Sequence, residues 1–171
     1  EKKTAKVQAG LLTTQLLAMI MPLGYIIKGL TGSLKNTIGG DIANDVNGKD
    51  SWKYGHFGEN VIALKIALSD GTITEYTKEQ SPEILDAVVG GLGLIGVVLE
   101  VTLQLIEIPS FILTIESKKQ SGIAGLVDYM NNLSHAKYEY AYCWTDPFAP
   151  KQDLGRGICE TAYFKQKKLS G

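Results

Sequence analysis

The chain has 171 residues, of which 44% are hydrophobic and 20% are charged, a composition typical of folded domains rather than disordered segments. Its formal net charge of -1 gives no electrostatic basis for binding nucleic acid or an anionic membrane surface. The most apolar stretch, residues 16–27, is interrupted by Pro22 and Gly24 and is shorter than the roughly 20 residues that span a bilayer. We therefore expect no transmembrane segment.

The chain contains two histidines and two cysteines. Two cysteines are too few for a disulfide framework. Cys143 and Cys159 could pair, but we expect them to be free, buried thiols. Neither His56 nor His135 lies at metal-ligand spacing from a cysteine, so no metal site is predicted.

Short strands and helices are predicted along the first 60 residues. The alternating stretch "TAKVQAG" favours a strand, and Thr13 or Thr14 is expected to cap a helix that ends at Pro22. A short helix is expected in "IGGDIAND", beginning near Thr37. The stretch "VNGKDSWKYGHFG" (46–58) has no apolar period and is expected to be an ordered loop.

The next segments predict a hairpin, a helix and a long strand. Two β-rich runs flank Asp70-Gly71, a pair that favours a two-residue turn in which both residues have positive φ. Ser81 precedes a proline and is expected to cap a helix of about two turns. The stretch "VVLEVTLQLIEI" alternates as one half-buried strand that ends at Pro109.

A shift in composition at Pro109 predicts a boundary that divides the chain into residues 1–108 and 109–171. In the second part we expect a strand near "FILTIE", a helix through "IAGLVDYMNNL", and strands at "YEYAYCWTD" and "GRGICETAYF". The fold class predicted for the whole chain is α+β.

Two glycine-rich segments stand out. The stretch "GGLGLIG" (90–96) contains the pattern G-x-G-x-x-G, but a dinucleotide fingerprint of the Rossmann type has a strand before the glycines and a helix after them. The order here is reversed, so we expect a tight helix-to-strand turn instead. The second segment, "TGSLKNTIGGDIANDVNGK" (31–49), offers main-chain N–H groups to an anion such as a diphosphate, with turns and packing as the alternative explanation.

These two segments, together with "LSDGTITEYT", resemble the FAD-binding domain of the p-cresol methylhydroxylase/vanillyl-alcohol oxidase superfamily, and within it the sugar and sugar-lactone oxidases. The stretch "YAYCWTDPFAPKQDLGRG" is similar to the start of the substrate domain of those oxidases. The resemblance implies that residues 1–108 are the second subdomain of the FAD-binding domain, a mainly antiparallel sheet with helices. Residues 109–171 are then the truncated beginning of an α+β substrate domain.

The resemblance also implies FAD as the cofactor and names the positions that would line it. The cofactor-binding positions are Gly32, Ser33, Thr37, Ile38, Gly39, Gly40, Asn44, Asp45, Val46, Asn47 and Val98. The substrate-pocket positions are Asn47, Gly48, Lys49 and Tyr142. Lys49 is the candidate that would attract an anionic reduced flavin or the substrate, with a solvated loop lysine as the alternative. For Tyr142 the alternative is an ordinary position on an amphipathic strand.

Two departures from the family pattern qualify these expectations. The usual "HGK" is Asn47-Gly48-Lys49 here, and neither the "GRGxSxGD"-like diphosphate loop nor a catalytic base is found in the 171 residues. We therefore expect a fragment that binds FAD weakly or not at all by itself.

The activity that the resemblance implies is FAD-dependent oxidation of a secondary alcohol of a sugar or sugar-phosphate lipid, with hydride transfer to flavin N5. The alternatives are an aldonolactone oxidase and a catalytically incomplete module that acts with a partner chain. A reductase or epimerase subunit is a possible partner. The location is left open between the cytoplasm and the membrane periphery.

Overall fold

The computed structural model describes residues 3–165. The chain forms two compact units, which adjoin in the sequence at Ile108 and Pro109. Both units combine helices with antiparallel sheet, so the α+β class predicted from the sequence is confirmed.

The first unit contains six strands and four α-helices within its described residues. In chain order they are β1 (Thr4–Gln8), α1 (Thr13–Ile20), β2 (Tyr25–Ile26), α2 (Ile38–Ala43), α3 (Ser51–Tyr54), β3 (Val61–Ala67), β4 (Ile73–Thr77), α4 (Pro82–Val88), β5 (Val97–Gln104) and β6 (Ile106–Glu107). Strands β1, β5, β3 and β4 form a four-stranded antiparallel sheet in that order, and β2 pairs with β6 separately.

The core of the first unit lies between this sheet and the helices. Strand β3 lies inside the sheet between β5 and β4, and its Leu64 and Ile66 are fully buried. Fully removing such a side chain from water contributes about 1.5–3 kcal/mol. The other apolar side chains of this unit that are at most 1% exposed are Leu16, Ile27, Ile38, Ile42, Phe57, Val61, Val101 and Leu103.

Two local predictions for the first unit are wrong at their ends. The N-cap of helix α1 is Leu12, whose backbone is extended, and Thr13 is already the first helical residue; its hydroxyl donates to the Asp41 carboxylate at 2.6 Å. The β3–β4 connection is longer than two residues: Gly71 has φ +85°, whereas Asp70 has no positive φ and its carboxylate accepts the Thr72 N–H at 2.9 Å.

Two further segments differ from their predicted structure. The stretch expected to be a loop, residues 46–58, contains α3 and the start of a 3₁₀ turn over Phe57–Asn60. Neither element is long enough to show an apolar period, so the pattern could not predict it. The strand predicted over residues 97–108 is divided at Leu105 into β5 and β6, which belong to different sheets.

The second unit contains β7 (Leu113–Gln120), α5 (Ile123–Asn131), β8 (Tyr140–Thr145) and β9 (Gly157–Phe164). The three strands form an antiparallel sheet with β9 in the centre. This unit has the strand and helix order that the sequence predicts.

The cysteine prediction is wrong. Cys143 on β8 and Cys159 on β9 form a disulfide, with Cα atoms 4.0 Å apart. The register of the two strands places these residues directly opposite each other. That register depends on the long-range pairing of the strands, which cysteine count and spacing do not reveal.

Candidate functional site

The glycine-rich segment 31–49 is fixed against the end of β1. The N–H of Gly39 donates to the carbonyl of Ala9 at 2.8 Å, and the N–H of Ile38 donates to that of Leu11 at 2.9 Å. A Cβ atom at Gly39 would lie 3.1 Å from the Cβ of Ala9, closer than almost all real contacts. Glycine at this position therefore allows the start of α2 to pack directly on the sheet.

A buried carboxylate holds the same segment from the other side. Asp41 is 2% exposed and accepts hydrogen bonds from the Thr13 hydroxyl at 2.6 Å and the Asn36 amide at 3.0 Å. A buried carboxylate without such donors would be strongly destabilising. These bonds fix the loop between Asn36 and Asp41, where part of the predicted cofactor site lies.

The first main-chain N–H groups of α2 are already engaged. Thr37 is the N-cap, and its hydroxyl oxygen accepts the Gly40 N–H at 3.1 Å. Since Ile38 and Gly39 donate to β1-end carbonyls, none of these three N–H groups points freely at a ligand. The role of these three N–H groups in the structure is therefore to position the loop.

Other main-chain donors of the predicted site are open. Gly32, Ser33 and Asn47 are exposed, and their N–H groups donate to no acceptor among residues 3–165. The exposed charged side chains of segment 31–49 are both cations, Lys35 and Lys49. Exposed N–H donors with nearby positive charge suit an anionic group, so this part of the chain fits the diphosphate of a dinucleotide.

The turn after α2 has a strained backbone that is held by several hydrogen bonds. Asp45 has φ +41°, uncommon for a residue other than glycine. Its carboxylate accepts the Gly58 N–H at 2.9 Å and lies 3.1 Å from Nδ1 of His56. The Phe57 N–H donates to the carbonyl of Val46 at 2.9 Å. The turn that carries Asn44–Asn47 is thus anchored to residues 56–58.

The loop that contains Lys49 is packed just as closely. A Cβ atom at Gly48 would lie 1.9 Å from the carbonyl oxygen of Leu30, so only glycine fits there. The next residue but one, Asp50, is 2% exposed and accepts the Gly29 N–H at 3.2 Å. Lys49 lies between these two fixed residues with its side chain exposed.

The second glycine segment meets the first one. Gly90 donates its N–H to the carbonyl of Ile42, and Leu92 donates to that of Ala43, both at 2.9 Å. Helix α4 comes before these residues and β5 after them, so the helix–glycine–strand order that excludes a Rossmann fingerprint is confirmed. The glycines shape a tight turn that closes on the end of α2.

Val98 lies in the same neighbourhood. The Ala9 N–H donates to the carbonyl of Leu99 at 2.9 Å, and the carbonyl of Ala9 accepts the Gly39 N–H. Opposite β3, Leu99 is the extra residue of a β-bulge, since Lys65 pairs with Glu100 while the next residue pairs with Val98. Val98 is therefore next in sequence to a residue that is linked through Ala9 to Gly39, at the start of α2.

The remaining predicted pocket residue, Tyr142, belongs to the second unit. It lies on β8, and its hydroxyl donates to the Glu160 carboxylate. This hydrogen bond raises the pKa of Tyr142 above its ordinary value, with burial adding to the effect.

Several polar residues of the first unit were not predicted from the sequence. Lys28 is 2% exposed, and its Nζ lies 4.3 Å from the centre of the Tyr54 ring. The Asn60 side-chain amide makes two hydrogen bonds to the main chain of Lys28: Nδ2 donates to the Lys28 carbonyl at 2.9 Å, and Oδ1 accepts the Lys28 N–H at 3.2 Å. A lysine after two isoleucines in "YIIKGL" is the one signal that could have indicated a buried cation.

A cavity of about 370 Å³ lies beside the Asp45 turn. Its walls include Asp45, His56, Glu59, Lys78 and Asp86.

Within residues 3–165 no group of three His, Cys, Asp or Glu side chains could hold a metal ion. The helices in that same range are all too short or too polar to cross a membrane.

The chain is similar in sequence to known proteins. Residues 1–77 match the family model of the FAD binding domain. An uncharacterised protein of Streptomyces coelicolor is 31% identical over 145 residues, which cover 84% of this chain and 38% of that protein. The decaprenylphosphoryl-β-D-ribose oxidase of Mycolicibacterium smegmatis is 26% identical over 88% of this chain and 33% of its own length.

The L-gulonolactone oxidase of Mus musculus is 28% identical over 84% of this chain and 32% of its own length. The chain thus spans about a third of the length of each of these three relatives. Residues 1–77 thus match an FAD binding domain, which indicates FAD as the cofactor, and sugar and sugar-lactone oxidases are among the proteins to which the chain is similar.

Proposed function

We propose that the protein containing this chain oxidises a secondary alcohol of a sugar or sugar-phosphate lipid, and that residues 1–108 form one wall of its FAD site. The observation that supports the proposal is the convergence of the two glycine segments, where Gly90 and Leu92 bond to the end of α2. The sugar-related relatives support the substrate class.

In this proposal the chain positions the cofactor rather than reacting with it. The open N–H groups of Gly32, Ser33 and Asn47 would bind anionic or carbonyl oxygens of FAD, and Val98 would meet the adenine through its main chain. Other lining positions contribute shape, because their N–H groups already bond within the protein: Ile38, Gly39, Gly40, Asn44, Asp45 and Val46. FAD itself supplies the hydride acceptor.

Lys49 is the residue of this chain proposed to act electrostatically. It is exposed on a loop that Gly48 and Asp50 hold in place, so its cationic end is carried by a fixed main chain. A fixed cation near developing negative charge lowers the barrier of a reaction that creates that charge. Tyr142 of the second unit is proposed to line the substrate pocket.

Two alternatives use the same cofactor wall. An aldonolactone oxidase is favoured by the relatives that act on lactones, namely the L-gulonolactone and D-arabinono-1,4-lactone oxidases. A catalytically incomplete module would need a partner chain to supply the other wall. Coding sequence that contains a "GRG" loop upstream of Glu1 would favour an enzyme over a module.

The experiment that tests the proposal is an assay of the intact gene product with a panel of sugars, sugar lactones and sugar-phosphate lipids, using a dye as electron acceptor. We expect substrate-dependent bleaching of the flavin absorbance and dye reduction. A Lys49→Met variant should retain FAD and lose at least tenfold in kcat, about 1.4 kcal/mol of barrier. A protein that binds flavin and is reduced by no member of the panel would overturn the sugar-oxidase proposal.

A further inference from the structure

One face of the sheet in the second unit has a carboxylate at its centre. The strand register aligns Ser117 of β7, Glu160 of β9 and Tyr142 of β8 in one row. Directly paired residues project from the same face of a sheet, so the three side chains meet. The Ser117 hydroxyl donates to Oε1 of Glu160 at 3.1 Å, and the Tyr142 hydroxyl donates to Oε2.

The Glu160 carboxylate in this row can accept further hydrogen bonds. A carboxylate offers about four lone-pair positions and no donor, and two of them are used by Ser117 and Tyr142. The raised pKa of Tyr142 keeps its proton on the hydroxyl and directed at Glu160. A ligand that approaches Glu160 must therefore bring its own hydrogen-bond donors.

The surroundings of Glu160 on this face are apolar and accessible. Trp144 is 67% exposed and its ring meets that of Tyr142 edge-on, with centroids 6.0 Å apart. Ile158 pairs with Trp144, and Ile115 lies on the same face of β7; both are exposed. A charged acceptor flanked by an aromatic ring and aliphatic side chains suits a ligand with both hydroxyl groups and C–H faces.

We propose that this face binds the neutral ring of a sugar, with the Glu160 carboxylate accepting hydrogen bonds from ring hydroxyl groups and Trp144 covering a C–H face. The inference rests on the proposed sugar-oxidase function and makes it more specific. A phosphate brings negative charge and, at neutral pH, mainly acceptors, which the Glu160 carboxylate repels. The face therefore recognises the polyol part of a substrate rather than its phosphate.

Lys119 is the cationic side chain on this face that could instead bind an anionic ligand. Its alternation with Ser117 places it on the same face, and it pairs with Ile158 next to the Glu160 row. An anion bound there would depend on Lys119 and would be insensitive to the hydrogen-bonding capacity of Glu160. The two ligand classes can therefore be separated by two substitutions.

The test uses the full 171-residue chain and no flavin. The chain has two tryptophans, so its indole N–H region of a ¹H–¹⁵N NMR spectrum contains two signals, and Trp144→Phe assigns the one of interest. Methyl β-D-ribofuranoside and L-gulono-1,4-lactone are titrated against ribose 5-phosphate and inorganic phosphate. We expect both neutral sugars to shift the Trp144 signal, and ribose 5-phosphate to bind no more tightly than the neutral riboside.

Substitutions on the two faces complete the test. Glu160→Gln should weaken binding of the neutral sugars about tenfold, the loss typical for a hydrogen bond to a charged group. The matched control is Glu116→Gln on the opposite face, where the carboxylate is bonded to Lys137 and Tyr138 and should not affect binding. If Glu160→Gln disturbs the spectrum as a whole, Glu160→Asp, which retracts the carboxylate, should weaken binding in the same direction.

Three results would overturn the proposal: neutral sugars that leave the Trp144 signal unmoved, sugar affinity that Glu160→Gln does not change, or tighter binding of the phosphates that is lost in Lys119→Met. Because no flavin is involved, each of these results would leave the FAD assignment of the first unit intact. Conversely, an intact protein that no sugar reduces would contradict the proposed function without altering a measured affinity at this face.

Discussion

The main-chain N–H of Leu92 donates to the carbonyl oxygen of Ala43 at 2.9 Å, and this bond joins two glycine-rich segments that are far apart in the sequence. Leu92 achieves it with φ +52°, in the left-handed region that favours glycine. Its side chain is 67% exposed, so it gains little burial in return. The position is therefore determined by its main chain.

We expect Leu92→Gly to keep or raise the free energy of unfolding by up to about 1 kcal/mol, because relief of the left-handed strain offsets the entropy that glycine loses on folding. The matched control is Leu94→Gly. Leu94 is 86% exposed and has no positive φ, so only the entropic loss of about 0.5–1 kcal/mol should appear. Urea unfolding of both variants gives the comparison, and a larger loss in Leu92→Gly than in Leu94→Gly would contradict the strain argument.

Gly48 should tolerate no side chain. A Cβ atom there would lie 1.9 Å from the carbonyl oxygen of Leu30, so Gly48→Ala must displace the loop that carries Lys49. We expect a loss of about 1–3 kcal/mol in the free energy of unfolding, the cost typical of overpacking. Gly10→Ala is the control, since a Cβ atom at Gly10 meets no atom within 4 Å. Equal stability of the two variants would show that the loop is not held as described.

The sequence could predict the elements whose signal is local. Pro82 at the start of α4, the alternation along β5 and the glycines after α4 each act on their immediate neighbours, and the structure confirms these elements. The polar contacts that organise the cofactor wall depend instead on long-range pairing. The bond from Thr13 to Asp41 is an example, because the residues that surround an aspartate cannot be read from its own position.

The candidate site also has features that could be predicted from the sequence and features that could not. The family resemblance implied that both glycine-rich segments belong to one cofactor site, and Gly90 does bond to the end of α2 while Gly39 is linked through Ala9 to Leu99, next to Val98. Composition did not indicate which N–H groups would be left open. At the start of α2 the N–H groups of Ile38, Gly39 and Gly40 already bond within the protein, whereas those of Gly32, Ser33 and Asn47 are open.

The Gly32 position offers a direct test of the cofactor wall. Gly32 has no positive φ, and a Cβ atom there would meet no protein atom within 4 Å. We therefore expect Gly32→Val to change the free energy of unfolding by less than about 0.5 kcal/mol. In the intact gene product the same substitution should weaken FAD binding at least tenfold, because the side chain occupies the space beside the open N–H groups. Unchanged FAD affinity, measured by flavin fluorescence, would exclude Gly32 from the site.

An acid-sensitive ion pair is expected in the second unit. Hydrogen bonds from Arg156, at 2.6 Å from Nη2, and from the Phe148 N–H lower the pKa of the Asp146 carboxyl. A lowered folded-state pKa means that the contribution to stability is present above the ordinary value of 3.8 and is lost as the pH falls through the folded value.

Asp146→Asn should therefore lower the melting temperature near neutral pH and reduce its dependence on pH below 4, with the two proteins converging in acid. Melting curves at several pH values, followed by near-ultraviolet circular dichroism, make the comparison. Parallel curves for the two proteins across this range would assign the acid sensitivity to another group.

The Cys143–Cys159 disulfide should contribute most of its stability by restricting the unfolded chain. It joins residues that are 16 positions apart, and closing a loop of about that size removes entropy worth about 3 kcal/mol from the unfolded state. We expect reduction with dithiothreitol to lower the denaturant concentration at which half of the second unit is unfolded. The unfolding is measured by the fluorescence of Trp144 in a Trp52→Phe background.

The double variant Cys143→Ala/Cys159→Ala should have the same unfolding midpoint as the reduced protein, because neither sulfur then constrains the strands. Thiol titration in denaturant should detect no free thiol before reduction and both cysteines after it. Two reactive thiols in the unreduced protein would mean that β8 and β9 are held by their main-chain hydrogen bonds alone.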